Sequence, residues 1–198
     1  MTYLTIRGST PWAEWRAETS GMRRPVAIGF ALLMALVFAF PAWASTQLQA
    51  GDKAPEFLLA DGEGRMRQSS EWRGSWLILY FYPRDDTPGC TAEAKAFNER
   101  LPELAALKAQ VVGVSVDSVD SHRAFASRFG LNFPLLADTD GKVSRRYGTL
   151  NDFAVVKFAK RHTFLIDPDG NIAKVYRDVE PALHAGEIIA DLKRLRAQ

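Results

Sequence analysis

The stretch "WLILYFYPRDDTPGCTAE", Trp76–Glu93, decides the fold. Its first part, Trp76 to Tyr82, is almost wholly apolar. That is the pattern of a central strand covered on both faces, not of a strand with one face in water. Pro83 stops the run and Arg84-Asp85-Asp86 turns the chain. Thr87 then suits an N-cap and Pro88 a first helical position. The stretch reads as strand, loop, helix, and it sets Cys90, the single cysteine of 198 residues, in the first helical turn.

Working outward, Ala54 to Leu59 with the turn Asp61-Gly62-Glu63-Gly64 suggests a small N-terminal hairpin. Helical sequence follows Cys90, and Pro102 divides it into two helices. Val111 to Val116 is a second buried strand. Ser121 to Phe129 is amphipathic, with Phe125 and Phe129 one turn apart and Gly130 as its stop. Phe133 to Ala137 is strand-like and Lys142 to Tyr147 a short helix. Thr163–Ile166 and Ile172–Tyr176 flank the turn Asp167-Pro168-Asp169-Gly170. The tail from His184 places Ile188, Ile189, Leu192 and Leu195 at helical spacing. Alternating strands and helices that end in a hairpin and a closing helix argue for an α/β fold. The order fits a thioredoxin-like fold, with a mixed central sheet flanked by helices and an N-terminal β-hairpin extension.

The length accommodates one domain plus an extension. The extension reads as a secretory signal: a short basic start at Met22-Arg23-Arg24, an unbroken apolar run from Val26 to Phe40, then the small-x-small site Ala42-Trp43-Ala44. A membrane-spanning helix usually needs about 20 apolar residues, more than this run supplies. The expected division is therefore 1–44 as signal, with Met22 the true start and cleavage after Ala44, and 45–198 as the mature domain. Residues 1–44 hold four of the 25 basic and two of the 23 acidic residues, so the mature part carries 21 of each and is neutral. No basic stripe argues for a nucleic-acid partner. The expected destination is outside the cytoplasm, in a bacterial periplasm, with no stable membrane association after cleavage.

An exported protein meets an oxidising compartment, where cysteines tend to be paired. Cys90 has no partner within the chain, so it is either an inert buried residue or a free reactive thiol. A free thiol of pKa near 8.5 is only a few per cent ionised at neutral pH, and only the thiolate is a good nucleophile. The amides and dipole of a helix N-terminus favour that anion, a benefit an inert cysteine does not need. Asp85 and Asp86 oppose it unless they face solvent. A cation is therefore required. Arg161, just before the apolar "HTFLID", could reach the helix N-terminus from an adjacent strand, or be a solvated strand-end charge; Arg84 reads as surface. Thr87 is an N-cap, a hydroxyl that contacts the sulfur or its substrate, or both. Pro83 ends the strand or walls the sulfur from water. Glu93 complements the helix dipole or orients a neighbouring arginine. His122, His162 and His184 stand singly and read as surface or capped residues. They form no metal constellation, and no Gly-rich phosphate loop follows a strand.

These residues resemble those of a peroxiredoxin. "FYPRDDTPGCTAE" is similar to the peroxidatic motif Pro-x-x-x-Thr-x-x-Cys of the bacterioferritin-comigratory-protein, or peroxiredoxin Q, branch, met here by Pro83, Thr87 and Cys90. "VVGVSVDSVDSHRAFASRFGLNFPLLADTDGKVSRRYG" and "RHTFLIDPDGNI" also look like that branch, so the likeness spans about residues 50–195. It implies a peroxidatic role for Cys90. Thr87 would hydrogen-bond the peroxide and the sulfur, Arg161 would stabilise the thiolate, and Pro83 would shield the site. No cofactor and no metal are expected. Many members carry a resolving cysteine five residues after the peroxidatic one; here Lys95 stands there. The sulfenic acid, the first reversible stage of cysteine oxidation, must then be resolved from outside, by a thioredoxin-like protein or a small thiol. The expected activity is one-cysteine reduction of hydrogen peroxide and organic hydroperoxides by a monomer. A thiol–disulfide oxidoreductase or a non-enzymatic binding module on the same fold are the alternatives. The former normally needs two cysteines to release a mixed disulfide quickly.

Overall fold

The strand read first from the sequence lies at the centre of the sheet. In the computed structural model, which describes residues 47–153 and 155–197, β3 (Trp76–Phe81) is buried along nearly its whole length. The proposed signal segment, 1–44, lies outside the described residues.

Before β3 come β1 (Leu58–Asp61), β2 (Met66–Gln68) and a short 3₁₀ turn at Ser69–Trp72. After it follow α1 (Pro88–Glu99), α2 (Leu101–Ala106), β4 (Ala109–Ser115), α3 (Val119–Phe129), β5 (Leu135–Ala137) and α4 (Lys142–Arg146). Then come β6 (Leu150–Phe153), β7 (Val156–Ala159), β8 (His162–Ile166), β9 (Ile172–Tyr176) and α5 (His184–Leu195). Seven strands form one sheet in the order β2-β1-β5-β4-β3-β8-β9. The pairs β3–β4 and β4–β5 are parallel; β1–β5, β3–β8 and β8–β9 are antiparallel. The sheet is thus mixed and flanked by helices, the thioredoxin-like α/β arrangement expected.

Alternation along β3 feeds two cores. Ile78, Tyr80 and Tyr82 enter a cluster with Phe97 of α1, Phe125 of α3 and Ile188 of α5. Leu77, Leu79 and Phe81 enter the other, with Val143 and Tyr147 around α4 and with Phe164 of β8. Each such side chain contributes roughly 1.5–3 kcal/mol on burial, which is what fixes the register. Gly113 of β4 lies directly across from Tyr80. A Cβ there would stand 2.8 Å from the Tyr80 ring and 2.7 Å from Leu135 Cδ2, so the missing side chain makes room for that ring. Gly130, with φ of 62°, ends α3 in the left-handed conformation that glycine adopts without penalty.

Some expectations shift. The first strand begins at Leu58, not Ala54. Pro55 offers no N–H to a ladder, and the Ala54 N–H is already committed to Gly170 O at 3.0 Å. The hairpin β6–β7, which the sequence pattern does not signal, stands apart from the main sheet. Among the described residues no helix is long and apolar enough to cross a membrane.

Candidate active site

Cys90 is placed by local rules. β3 ends at Phe81, and the Tyr82 N–H still pairs with Val114 O at 3.1 Å. The chain then loops through 83–86, and α1 starts with Thr87 at the N-cap and Pro88 at N1. Pro88 has no N–H, and the Thr91 N–H reaches Thr87 O at 2.9 Å. The amides of Gly89 and Cys90 are therefore left as the free donors of the first turn. Cys90 is 1 % exposed.

Burial alone would suit an inert residue. The neighbour decides otherwise: Arg161 Nη2 donates to Cys90 Sγ at 3.2 Å. Arg161 comes from the residue just before β8, antiparallel to β3, so the sheet itself carries the guanidinium across. Gly89 clears the approach, since a Cβ there would lie 3.3 Å from Nη2.

The other end of the guanidinium is held by Glu93, one turn beyond Cys90, whose carboxylate accepts from Arg161 Nη1. Glu93 is 0 % exposed and its Oε1 has no partner. Burial pushes its carboxyl up to about 7, and the charge and hydrogen bond of Arg161 offset only part of that. Burial works against the Arg161 cation as well, but Glu93 and Cys90 outweigh it and raise its pKa. Glu93 is fully enclosed, whereas the Arg161 side chain keeps 20 % exposure, so burial weighs most on the carboxylate. Of the two readings of Glu93, the geometry matches the one that orients an arginine.

Thr87 caps nothing with its side chain. Its hydroxyl donates to Arg84 O at 3.1 Å and makes no hydrogen bond to the sulfur. With its proton so committed, the oxygen presents acceptor lone pairs at the loop surface. Pro83 is half-buried and Arg84 exposed.

The two aspartates diverge. Asp86 is exposed and pairs with Arg128 at 3.3 Å. Asp85 is buried, contrary to the condition that both face solvent. It does not confront the sulfur unmatched, because its carboxylate takes hydrogen bonds from Tyr82, Ser121 and His122. Burial raises its pKa, but His122, Ser121 and Tyr82 together bring it below the ordinary aspartate value. His122 and His184 are also buried, not at the surface. His184 Nε2 meets Thr163 Oγ1 at 2.8 Å under α5, and burial drops its pKa to about 4. Among the described residues no group of three or more His, Cys, Asp or Glu could hold a metal ion.

This arrangement is a buried sulfur in the first turn of a helix, with a cation on it and a hydroxyl one turn back in the chain, a set that can support nucleophilic attack. The chain as a whole resembles known proteins. Residues 50–175 match the AhpC/TSA family model. The chain is 40 % identical over 149 residues to a putative peroxiredoxin bcp of Coxiella burnetii, covering 73 % of this chain and 99 % of that one. The crystal structure of peroxidoxin BcpB from Mycobacterium tuberculosis superposes with a TM-score of 0.72 at 33 % identity, covering 75 % of this chain and 99 % of that one. The bacterioferritin comigratory protein of Xanthomonas campestris, solved for insight into its alkyl peroxide reduction activity, superposes with a TM-score of 0.68 at 35 % identity. The coverage is 74 % of this chain and 98 % of that one.

Proposed function

Because the chain belongs to the AhpC/TSA family, in its Bcp and peroxiredoxin Q branch, and is a thiol peroxidase, we propose that Cys90 alone carries the reaction. One observation supports this above the rest: the one thiol of the chain lies 3.2 Å from the Arg161 guanidinium at a helix N-terminus.

The Cys90 thiolate attacks the terminal oxygen of hydrogen peroxide or an alkyl hydroperoxide. The S–O bond forms as the O–O bond breaks. The leaving hydroxide or alkoxide takes a proton from solvent and departs as water or alcohol. Cys90 is left as a sulfenic acid, oxidised by two electrons. Arg161 stabilises negative charge as it passes from sulfur to the oxygens. Such preorganised donors are worth most where water is excluded. The Thr87 oxygen accepts from the peroxide O–H and sets its line of attack. Pro83 closes one side of the loop against solvent.

With Lys95 at the position of a resolving cysteine, and a single cysteine in the chain, the sulfenic acid condenses with an external thiol and releases water. A second thiol then frees Cys90 and leaves the reductant as a disulfide. A thioredoxin-like protein or a small thiol fills that role. We place the enzyme in the periplasm, on the strength of the signal-like segment ending at Ala44, and expect it to be a monomer, as members of this branch often are. Peroxide consumption by the purified mature chain with added dithiothreitol tests the peroxidase reading. Fractionation of cells that express the full chain tests the location.

A further inference from the structure

Between Pro83 and Thr87 one side chain turns inward. Asp85 is 5 % exposed, while Arg84 and Asp86 on either side face solvent. Three donors converge on the Asp85 carboxylate: Tyr82 Oη at 2.7 Å, Ser121 Oγ at 2.7 Å and His122 Nδ1 at 2.9 Å. The Asp85 N–H donates to Asp117 Oδ2 at 2.9 Å, and that carboxylate accepts from Ser115 Oγ at 2.7 Å. A single residue, two before Thr87, thus ties the loop to the end of β3, to the first turn of α3 and to the β4–α3 connection. The next residue, Asp86, has φ of 56°. A non-glycine residue in that region persists where the surroundings over-determine it.

His122 has no evident reason to be polar except this contact. It is 0 % exposed, and its Nε2 has no hydrogen-bond partner. A buried polar atom left unpaired costs roughly 1–3 kcal/mol, and an apolar side chain filling the same space would avoid that. What the imidazole supplies is the Nδ1–H bond to Asp85, with Tyr82 Oη 3.3 Å from the same nitrogen.

We propose that His122 and Ser121 are positioning residues: they clamp Asp85 to α3 and so hold the Thr87 hydroxyl in register with Cys90 Sγ for attack on the O–O bond. The inference rests on the peroxidase reading above and adds to it a part that touches neither substrate nor sulfur. Its consequence is selective. Alkylation of Cys90 needs the sulfur, which α1 and Arg161 set, and a way to it, which a loosened loop widens rather than blocks. Peroxide attack also needs the loop hydroxyl in place, and a displacement of about 1 Å can cost about 100-fold in rate.

The test measures two rates on the reduced mature protein at one pH: stopped-flow oxidation by hydrogen peroxide and alkylation by iodoacetamide. In His122→Ala we expect peroxide oxidation to fall about 10- to 100-fold while alkylation stays at or above the wild-type rate. Ser121→Ala loses a smaller part of the peroxide rate, again selectively. His122→Asn, whose amide can donate from the place of Nδ1, regains most of it. Peroxide and alkylation rates that fall together in His122→Ala would overturn the clamp, as would an unchanged peroxide rate. If His122→Ala does not fold, Ser121→Ala with wild-type peroxide kinetics overturns it, and a selective loss there supports it. A wild-type chain that consumes no peroxide fails the peroxidase reading itself. A wild type that does, with variants that match it, fails the clamp alone.

Discussion

Arg161 and Glu93 form an ion pair in which the carboxylate is wholly enclosed, while the other guanidinium nitrogen rests on Cys90 Sγ at 3.2 Å. One cation therefore serves both a carboxylate and a sulfur. With its carboxyl pushed up to about 7 by burial, Glu93 takes up a proton near neutrality and so loosens its hold on Arg161.

The first prediction concerns stability. Folded Glu93 binds a proton more tightly than the unfolded carboxyl, which titrates near 4.5. Folding is therefore unpenalised below that pH and loses stability as pH rises towards 7, by on the order of 3 kcal/mol. Glu93→Gln removes this dependence. His184, with its pKa lowered to about 4, acts in the opposite sense: its contribution is lost as pH falls from 6.5 towards 4. The difference between variant and wild type isolates Glu93. Urea denaturation from pH 4.5 to 7 should show Glu93→Gln gaining steadily on wild type; a constant difference would contradict the assignment.

A second prediction separates charge from geometry at Arg161. Arg161→Ala should slow oxidation of Cys90 by hydrogen peroxide about 100- to 1000-fold, the usual cost of losing one transition-state donor. Arg161→Lys should recover only part of this, because a point charge cannot hold Glu93 and the sulfur with a planar fork. Stopped-flow oxidation reads both variants; full activity in the lysine variant would show that only charge matters.

Thr87 supplies a third. Its side chain makes no capping bond, so Thr87→Val should cost less than the roughly 1 kcal/mol of an ordinary N-cap loss. The same change removes the acceptor for the peroxide and should lower the peroxide rate about tenfold or more. Thr87→Ser should restore the rate. Thermal melts paired with peroxide kinetics decide the matter: a large stability loss with unchanged kinetics would make Thr87 a cap and nothing else.

Gly113 yields a fourth. A methyl group there collides with Tyr80 and Leu135. Gly113→Ala should therefore destabilise the protein by about 1–3 kcal/mol. A chemical-denaturation midpoint equal to that of wild type would show that the Tyr80 ring has room to move.

How legible the site was depends on how local its determinants are. Cys90 at a helix N-terminus was readable because Pro88 and the apolar run before Pro83 are adjacent in sequence. Arg161 was readable as the residue flanking "HTFLI", since a buried strand must join the sheet. The fates of Asp85 and Asp86 were not readable. The two neighbours are chemically identical, and Ser121, 36 residues later, selects one of them. His122 reads as a surface or capped residue because its burial depends on α3 packing over the loop, a tertiary contact with no local signal. The β6–β7 hairpin escaped notice because Phe153 and Val156 face solvent, so its pattern is not that of a half-buried strand. The N-terminal hairpin was placed by its Asp-Gly turn, yet its start was missed where Pro55 interrupts the ladder.

The central claim is that one sulfur does the chemistry, and Cys90→Ser measures it most directly. Hydrogen peroxide consumption with excess dithiothreitol is followed for wild type and variant, with dimedone added to wild type during turnover. Wild type should consume peroxide and carry a dimedone adduct confined to the peptide holding Cys90, and Cys90→Ser should consume none above background. Undiminished turnover in Cys90→Ser would contradict it.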